Sequence, residues 1–377
     1  LFLCNSGAEA NEGAIKLARR WGETRLDGAS AIVTARQSFH GRTLATLAAT
    51  GQDRFHRSFR PLPEGFVSVP LNDIYTLRER VERGGVCAVM LECVQGEGGV
   101  WNANYDYLRD VRELCSEKGL LLICDEVQTG FYRCGSPFCY QRSGIEPDVV
   151  AMAKGIADGF PMGAVAARAE VADLLQPGDH GSTFGGSPLA CAVALACVNT
   201  LVDEEMGEHV LSVGRHLRHR LTAMDHVTEV RGHGLMRGAQ LDAPIASQLV
   251  EEGLAEGLVM NHVGDSILRF LPPLVITAEE VDEACDRLEA LIGRLGRAVS
   301  TTEATASPGL PIVCCALRTS FICAENLGTK RNAIEITRLN DGIILPNRKT
   351  TLSEVITALN EENHKTVDES KNALAIP

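Results

Sequence analysis

The sequence predicts an α/β fold with a mainly parallel central sheet and a smaller C-terminal α+β domain. Two apolar runs that each end in one ionisable side chain carry the first part of that expectation: Leu120-Leu121-Leu122-Ile123-Cys124-Asp125, and Pro147-Asp148-Val149-Val150-Ala151-Met152-Ala153-Lys154. Short apolar runs without alternation suit strands buried in a parallel sheet, which deliver functional residues at their carboxyl ends. A further sign is the alternation of strand-like and helix-like stretches along the first half of the chain. From about Leu201 the texture changes to longer charged helices and short strands, around Val227 to Gln240 and Ile267 to Phe270.

Taken in order, Leu1-Phe2-Leu3 opens the chain as if in mid-strand, and with no initiator methionine the chain reads as truncated. Asn5-Ser6-Gly7-Ala8-Glu9 follows, with Ser6 and Glu9 at capping-box spacing for a helix through Ile15, Leu17 and Ala18. A strand, a small-residue turn and a helix N-terminus offer backbone N–H groups for a phosphate, although the pattern also serves an ordinary capped helix. Ala31-Ile32-Val33-Thr34 is a strand that leads to Ser38-Phe39-His40-Gly41-Arg42-Thr43. There an aromatic ring and a guanidinium suit ring stacking and carboxylate binding, or a core residue and a surface ion pair.

Val86 to Leu91 is a buried strand that ends in Glu92 and is followed by Gln95-Gly96-Glu97-Gly98-Gly99. Polar residues among glycines after a buried strand mark where open α/β sheets place ligands. A helix with Leu108, Val111, Leu114 and Cys115 inward leads through Gly119 into the Asp125 run. Gly159 to Gly163, the strand Ala164 to Ala167, and the glycine-rich loop Gly181-Ser182-Thr183-Phe184-Gly185-Gly186 precede an Ala-rich helix from about Pro188. The last helix of the smaller domain has Thr277 and Glu280 as a capping box, with Val281, Cys285, Leu288, Ile292 and Leu295 on one face. These readings divide the chain into a large domain, 1–200, a small domain, 201–297, and a linker and unassigned tail, 298–377. Ser300 to Ser307 reads as a polar linker, and the tail holds an apolar segment, Pro311 to Cys323, and an amphipathic stretch with Leu352, Val355, Ile356 and Leu359.

At 377 residues and 45% hydrophobic content the chain suits a soluble globular protein with a large core. A net charge of −13 without a basic stripe argues against nucleic acid or an anionic membrane as partner. The 13 cysteines include no CxxC pair and no zinc spacing, so no metal is expected. Those in apolar runs (Cys87, Cys124, Cys191, Cys197) read as core residues of a reduced, cytoplasmic protein. No signal peptide or membrane-spanning run is seen.

A lysine at the end of a buried strand loses its proton more readily than one in water, and a neutral amine forms Schiff bases with aldehydes. A lone lysine in that position also snorkels to solvent. Asp125 shifts the balance, because a carboxylate ending an apolar strand is costly unless a cation pairs with it, and a pyridinium nitrogen is one such cation. Lysine, aspartate and a phosphate cradle are what pyridoxal phosphate requires of a protein. A nicotinamide dehydrogenase would want a GxGxxG turn after the first strand, and Gly7 stands without the other glycines.

With these residues in place, the sequence resembles the class III, ornithine-type pyridoxal-phosphate aminotransferases, most closely the acetylornithine branch, over residues 1 to 297. The motifs are Asn5 to Asn11, Ser38 to Thr43, Gln95 to Gly99, Asp125-Glu126-Val127-Gln128-Thr129-Gly130, Lys154-Gly155 and Ser182 to Gly186. The resemblance implies a fold-type I transferase, a homodimer, and pyridoxal 5'-phosphate as cofactor. It implies that Lys154 is the Schiff-base lysine and proton shuttle, that Asp125 holds the pyridine nitrogen protonated, that Gln128 bonds the phenolic oxygen and that Phe39 stacks on the ring. Ser6, Gly7 and Ala8 would hold the phosphate, joined by Thr183 of the partner subunit. Arg269, Glu97, Arg42 and Ser182 would contact substrate: Arg269 the α-carboxylate of glutamate or 2-oxoglutarate, Glu97 as its partner while the longer donor is bound, and Arg42 the α-carboxylate of that donor.

The reaction implied is ping-pong transamination of N-acetylornithine with 2-oxoglutarate, as in arginine biosynthesis. The alternatives are ornithine, succinylornithine or 4-aminobutyrate as donor, or an inactive fragment that keeps the fold. Cys93 stands where the family usually has proline, and Ser187 where asparagine is usual. The N-terminal segment that completes the substrate pocket in the family has no counterpart at the start of this chain.

Overall fold

The computed structural model describes residues 1–303, which form one compact unit. In chain order the first part runs β1 (Phe2–Cys4), α1 (Gly7–Arg25), β2 (Ala31–Ala35), α2 (Leu44–Ala49), α3 (Asp53–His56), β3 (Phe66–Val69), α4 (Ile74–Glu82), β4 (Val86–Leu91), β5 (Val94–Gln95), β6 (Trp101–Asn102), α5 (Tyr105–Lys118), β7 (Leu121–Asp125), β8 (Val149–Met152), β9 (Gly163–Ala167), α6 (Ala169–Ala172) and α7 (Pro188–Asp203).

Seven of these strands make the central sheet, in the order β1-β9-β8-β7-β4-β2-β3. The pairs from β3 to β8 are parallel, while β9 runs antiparallel to both its neighbours. Burial on both faces explains the unbroken apolar runs. Ala88, Met90, Leu121 and Ile123 pack against Ile15, Leu17 and Ala18 of α1. Val89, Leu91 and Leu122 face the other way, towards Leu77 of α4 and Val111 and Leu114 of α5. Successive residues of one strand thus fill two cores, as a two-sided sheet demands.

Asp148, 1% exposed, fixes the start of β8. Its carboxylate takes Arg112 at 2.8 Å and Arg168 at 2.7 Å, and accepts the Leu122 amide of β7 at 2.7 Å. A buried carboxylate with two guanidinium partners and a backbone donor repays part of its desolvation, and here it aligns the strands that end in Asp125 and lead to Lys154.

The second part comprises α8 (Met206–Thr222), β10 (Val227–His233), β11 (Met236–Leu241), α9 (Ala246–Ala255), β12 (Asn261–Val263), β13 (Ile267–Phe270) and α10 (Ala278–Glu303). Its strands form an antiparallel sheet in the order β10-β11-β13-β12. The capping box at α10 forms fully, with the Glu280 amide on Thr277 Oγ1 at 3.2 Å and the Thr277 amide on Glu280 Oε2 at 2.9 Å. Val281, Cys285, Leu288, Ile292 and Leu295 are buried as the spacing predicts.

Two expectations change. The helix α10 continues to Glu303, into the stretch read as linker, because no glycine or proline interrupts residues 297–303. Cys191 and Cys197 are only partly buried, unlike Cys87 and Cys124. They lie on α7, an apolar helix that buries only Ala190, Ala194 and Leu201, so apolar composition there does not mean core. The apolar segment from Pro311 and the amphipathic stretch around Leu352 fall outside the described residues. No helix among the described residues is long and apolar enough to cross a membrane.

Candidate active site

Four neighbouring parallel strands, β8, β7, β4 and β2, discharge their functional residues at one edge of the sheet. The turn after β2 carries Phe39 and His40, Glu92 directly follows β4, Asp125 ends β7 and Lys154 follows β8 by two residues. Carboxyl ends of parallel strands converge in this way because every strand points in the same direction.

Asp125 is 4% exposed and fully engaged on one oxygen. Its Oδ2 accepts Asn11 Nδ2 at 2.7 Å and His40 Nδ1 at 2.8 Å, while Oδ1 accepts the Val127 amide at 3.1 Å. Burial pushes the His40 imidazole down, but the hydrogen bond and charge of Asp125, with the charge of Glu92, outweigh it and raise its pKa. His40 Nε2 is buried without a partner among the described residues. Asp125 is therefore a carboxylate held rigidly from behind, with capacity on Oδ1 for one more donor.

The N-terminus of α1 lies beside Asp125. Ser6 caps it by accepting the Glu9 amide at 3.2 Å, whereas the Glu9 carboxylate reaches back to the Asn5 amide at 3.0 Å, so the expected box closes one residue early. The first-turn amides of Gly7 and Ala8 have no helical partner, by the geometry of any helix start. A Cβ on Gly7 would stand 2.6 Å from Val127 Cγ1, so only glycine lets the helix end approach the Asp125 turn this closely.

Lys154 opens a short 3-10 turn with φ +45°, a left-handed conformation that is strained for a side-chain-bearing residue. It is exposed rather than buried at a strand end, yet its pKa is lowered. Crowding by the surrounding protein lowers it most. The charges of Asp125, Glu92 and Glu97 oppose that shift, and Arg269 adds to it. Charges at the ends of β4 and β7, in the loop after β5 and on β13 thus bear on this amine.

The remaining expected site residues fall around it. Phe39 packs edge-on to Phe55, and the exposed Arg42 guanidinium lies 5.9 Å from the Phe39 ring centroid and 5.4 Å from that of Phe55. Arg42 has no ion pair among the described residues, which suits a group that receives a carboxylate. Gln128 lies against Gly96, where a Cβ would come within 2.3 Å of its Oε1. Arg269, from β13, donates to Glu97 Oε1 at 2.7 Å and keeps a buried Nε without a partner among the described residues. Ser182 Oγ accepts Asn5 Nδ2 at 2.9 Å, which brings the glycine-rich loop next to the α1 turn, and Thr183 beside it is exposed.

Sequence reasoning assigned no role to Asn11, His40 or Glu92. Asn11 and His40 lie inside quoted motifs, but their partner Asp125 is 114 and 85 residues away. Glu92 carried the signal that singled out Asp125, an acid directly after an apolar strand. These residues fit pyridoxal phosphate: an anion-ready helix start pressed tight by Gly7, a carboxylate with one unused acceptor position, a flat aromatic face and a lysine of lowered pKa.

The family described as aminotransferase class-III matches residues 1–292. Acetylornithine aminotransferase of Caldanaerobacter subterraneus is 47% identical over 300 residues, covering 78% of this chain and 76% of that protein. The enzyme of the same name from Methanocaldococcus jannaschii is 44% identical over 294 residues, covering 76% of this chain and 73% of that protein. Among solved structures, N-acetylornithine aminotransferase of Stenotrophomonas maltophilia superposes with a TM-score of 0.68 at 38% identity, covering 79% of this chain and 75% of that one. Ornithine aminotransferase of Toxoplasma gondii gives 0.75 at 32% identity, covering 79% and 73%.

Proposed function

The chain belongs to the aminotransferase class-III family, whose members depend on pyridoxal phosphate, and from that membership we propose that it transfers the amino group of N-acetylornithine to 2-oxoglutarate, giving N-acetylglutamate semialdehyde and glutamate. The observation that carries this reading is the Arg269–Glu97 pair beside Lys154. A ping-pong enzyme must admit a dicarboxylic acceptor and a donor with no second carboxylate at the same end. An arginine that an acid of the protein neutralises on demand serves both.

Pyridoxal phosphate, when bound, would supply an electron sink for the pair left when the carbon bearing the transferred amino group, Cδ of N-acetylornithine or Cα of glutamate, gives up its proton. Lys154 Nζ, with its lowered pKa, takes that proton and returns it. Asp125 holds a proton on the ring nitrogen, and Asn11 and His40 keep its carboxylate aimed. The amides of Gly7 and Ala8 receive the phosphate, with Ser6 capping the helix and Thr183 of a partner subunit adding a hydroxyl. Phe39 would cover one ring face and Gln128 would bond the phenolic oxygen. Arg42 binds the donor's α-carboxylate, with Ser182 at the pocket wall.

A panel of N-acetylornithine, ornithine, succinylornithine and 4-aminobutyrate, each with 2-oxoglutarate, tests the proposal. N-acetylornithine is expected to give the highest kcat/KM, and a clear preference for another donor would contradict it. Ornithine is the second reading, favoured by the higher TM-score of the Toxoplasma enzyme. Arg269→Ala is expected to raise the KM for 2-oxoglutarate about 10- to 100-fold, the worth of a charge-assisted contact, with the donor half-reaction little changed. Equal loss in both half-reactions would count against the assignment of Arg269.

We further propose a homodimer, in the cytoplasm. Leu195 and Val202 of α7, and Phe184 at 74% exposure in the loop before it, are large apolar side chains open to solvent, which suits burial against a second copy. Sedimentation equilibrium is expected to give twice the chain mass, and a monomer at micromolar concentration would contradict this. The unpaired thiols among the described residues suit a reducing compartment. We read residues 1–200 as the cofactor-binding domain and 201–297 as the small domain that brings Arg269 to it.

A further inference from the structure

One buried acid behind the ring face takes no part in the chemistry above. Glu92 is 3% exposed, and its Oε1 accepts the Phe39 amide at 2.8 Å. The Gly96 amide also bears on this carboxyl. Its charge neighbours come from three directions: His40 from the β2 turn, Asp125 from β7, and Lys154 from the turn after β8. We propose that Glu92 is a positioning residue that anchors the Phe39 face and sets the charge beside Asp125. The proposal rests on the cofactor reading.

Of the two buried carboxyl groups only Asp125 bonds the His40 imidazole, through Nδ1, while Glu92 feels its charge. Burial pushes Glu92 up, the charge of His40 pulls it back and the charge of Asp125 adds to the rise, leaving its pKa at about 8. At neutral pH Glu92 thus keeps its proton, and Asp125 is the only full negative charge of the pair. A protonated carboxyl still accepts the Phe39 N–H through its carbonyl oxygen, so the anchor holds in both states. Above the pKa a second negative charge appears beside Asp125 and favours a protonated ring nitrogen there.

The test uses the full chain without cofactor and pyridoxine 5'-phosphate, which has no aldehyde and so forms no covalent bond. Its affinity for wild type, Glu92→Gln and Glu92→Leu is measured by equilibrium dialysis from about pH 6.5 to 9.5. In the ratio of wild-type to Glu92→Gln affinity the ligand's own ionisations cancel. That ratio is expected to rise about threefold or more with a midpoint near 8. Glu92→Leu leaves the Phe39 amide unpaired and is expected to bind about tenfold more weakly at every pH. Glu92→Gln is isosteric, so the charge arm stands even if Glu92→Leu does not fold. A flat ratio, or wild-type affinity in folded Glu92→Leu, overturns the proposal while leaving the cofactor site intact. Failure of wild type to bind the analogue overturns the cofactor reading and this proposal with it.

Discussion

Lys154→Ala is expected to lower transamination about 10³-fold or more while the protein stays folded. The residue is exposed, so loss of its side chain removes little packing, and the strain of its positive φ passes to the smaller residue. What disappears is the base that moves the proton of the carbon bearing the transferred amino group, a contribution of about 10²- to 10⁴-fold, together with the covalent hold on the cofactor. Steady-state rates with a matched thermal-unfolding curve measure both. An active Lys154→Ala, or one that loses activity only by unfolding, would contradict the role given to this amine.

The second large effect belongs to Asp125→Asn, expected to reduce turnover about 10²- to 10³-fold. Asparagine keeps the size of the side chain and one acceptor oxygen, but it cannot hold a proton on the ring nitrogen by charge. The substitution also has a signature without cofactor. In the wild type His40 is held above its ordinary value of 6.5, despite burial, by the hydrogen bond and charge of Asp125 and the charge of Glu92. A raised histidine pKa contributes stability that is complete below 6.5 and is lost as pH rises through the raised value. Asp125→Asn removes the principal cause, so that part of the pH dependence is expected to flatten in denaturant titrations of the apo protein. An unchanged pH profile would mean that His40 does not depend on Asp125.

Much of the site was legible because local chemistry marks it. Asp125 and Lys154 announce themselves as charges that close apolar runs, and Gly7 as the small residue at a helix start. The Arg269–Glu97 pair had no such local mark: its members are 172 residues apart, and only family resemblance connected them. His40 and Asn11 were visible as residues but not as supports, because the carboxylate they hold comes from a distant strand. Glu92 was passed over although its setting matched that of Asp125, since nothing local says which acid faces a ligand and which faces a backbone amide. The texture of α7 read as core because composition reports hydrophobicity and not the number of faces covered. The extension of α10 past Ser300 was missed because serine and threonine suggest a linker, although neither ends a helix as glycine or proline does.

The central claim is that Lys154, and no other lysine, holds the cofactor. Borohydride treatment of the protein loaded with pyridoxal phosphate, followed by peptide mapping, tests it directly. The reduced cofactor is expected on the peptide that contains Lys154, in a stoichiometry approaching one per chain. Cofactor fixed at another lysine, or none fixed while the loaded protein remains folded, would contradict the account.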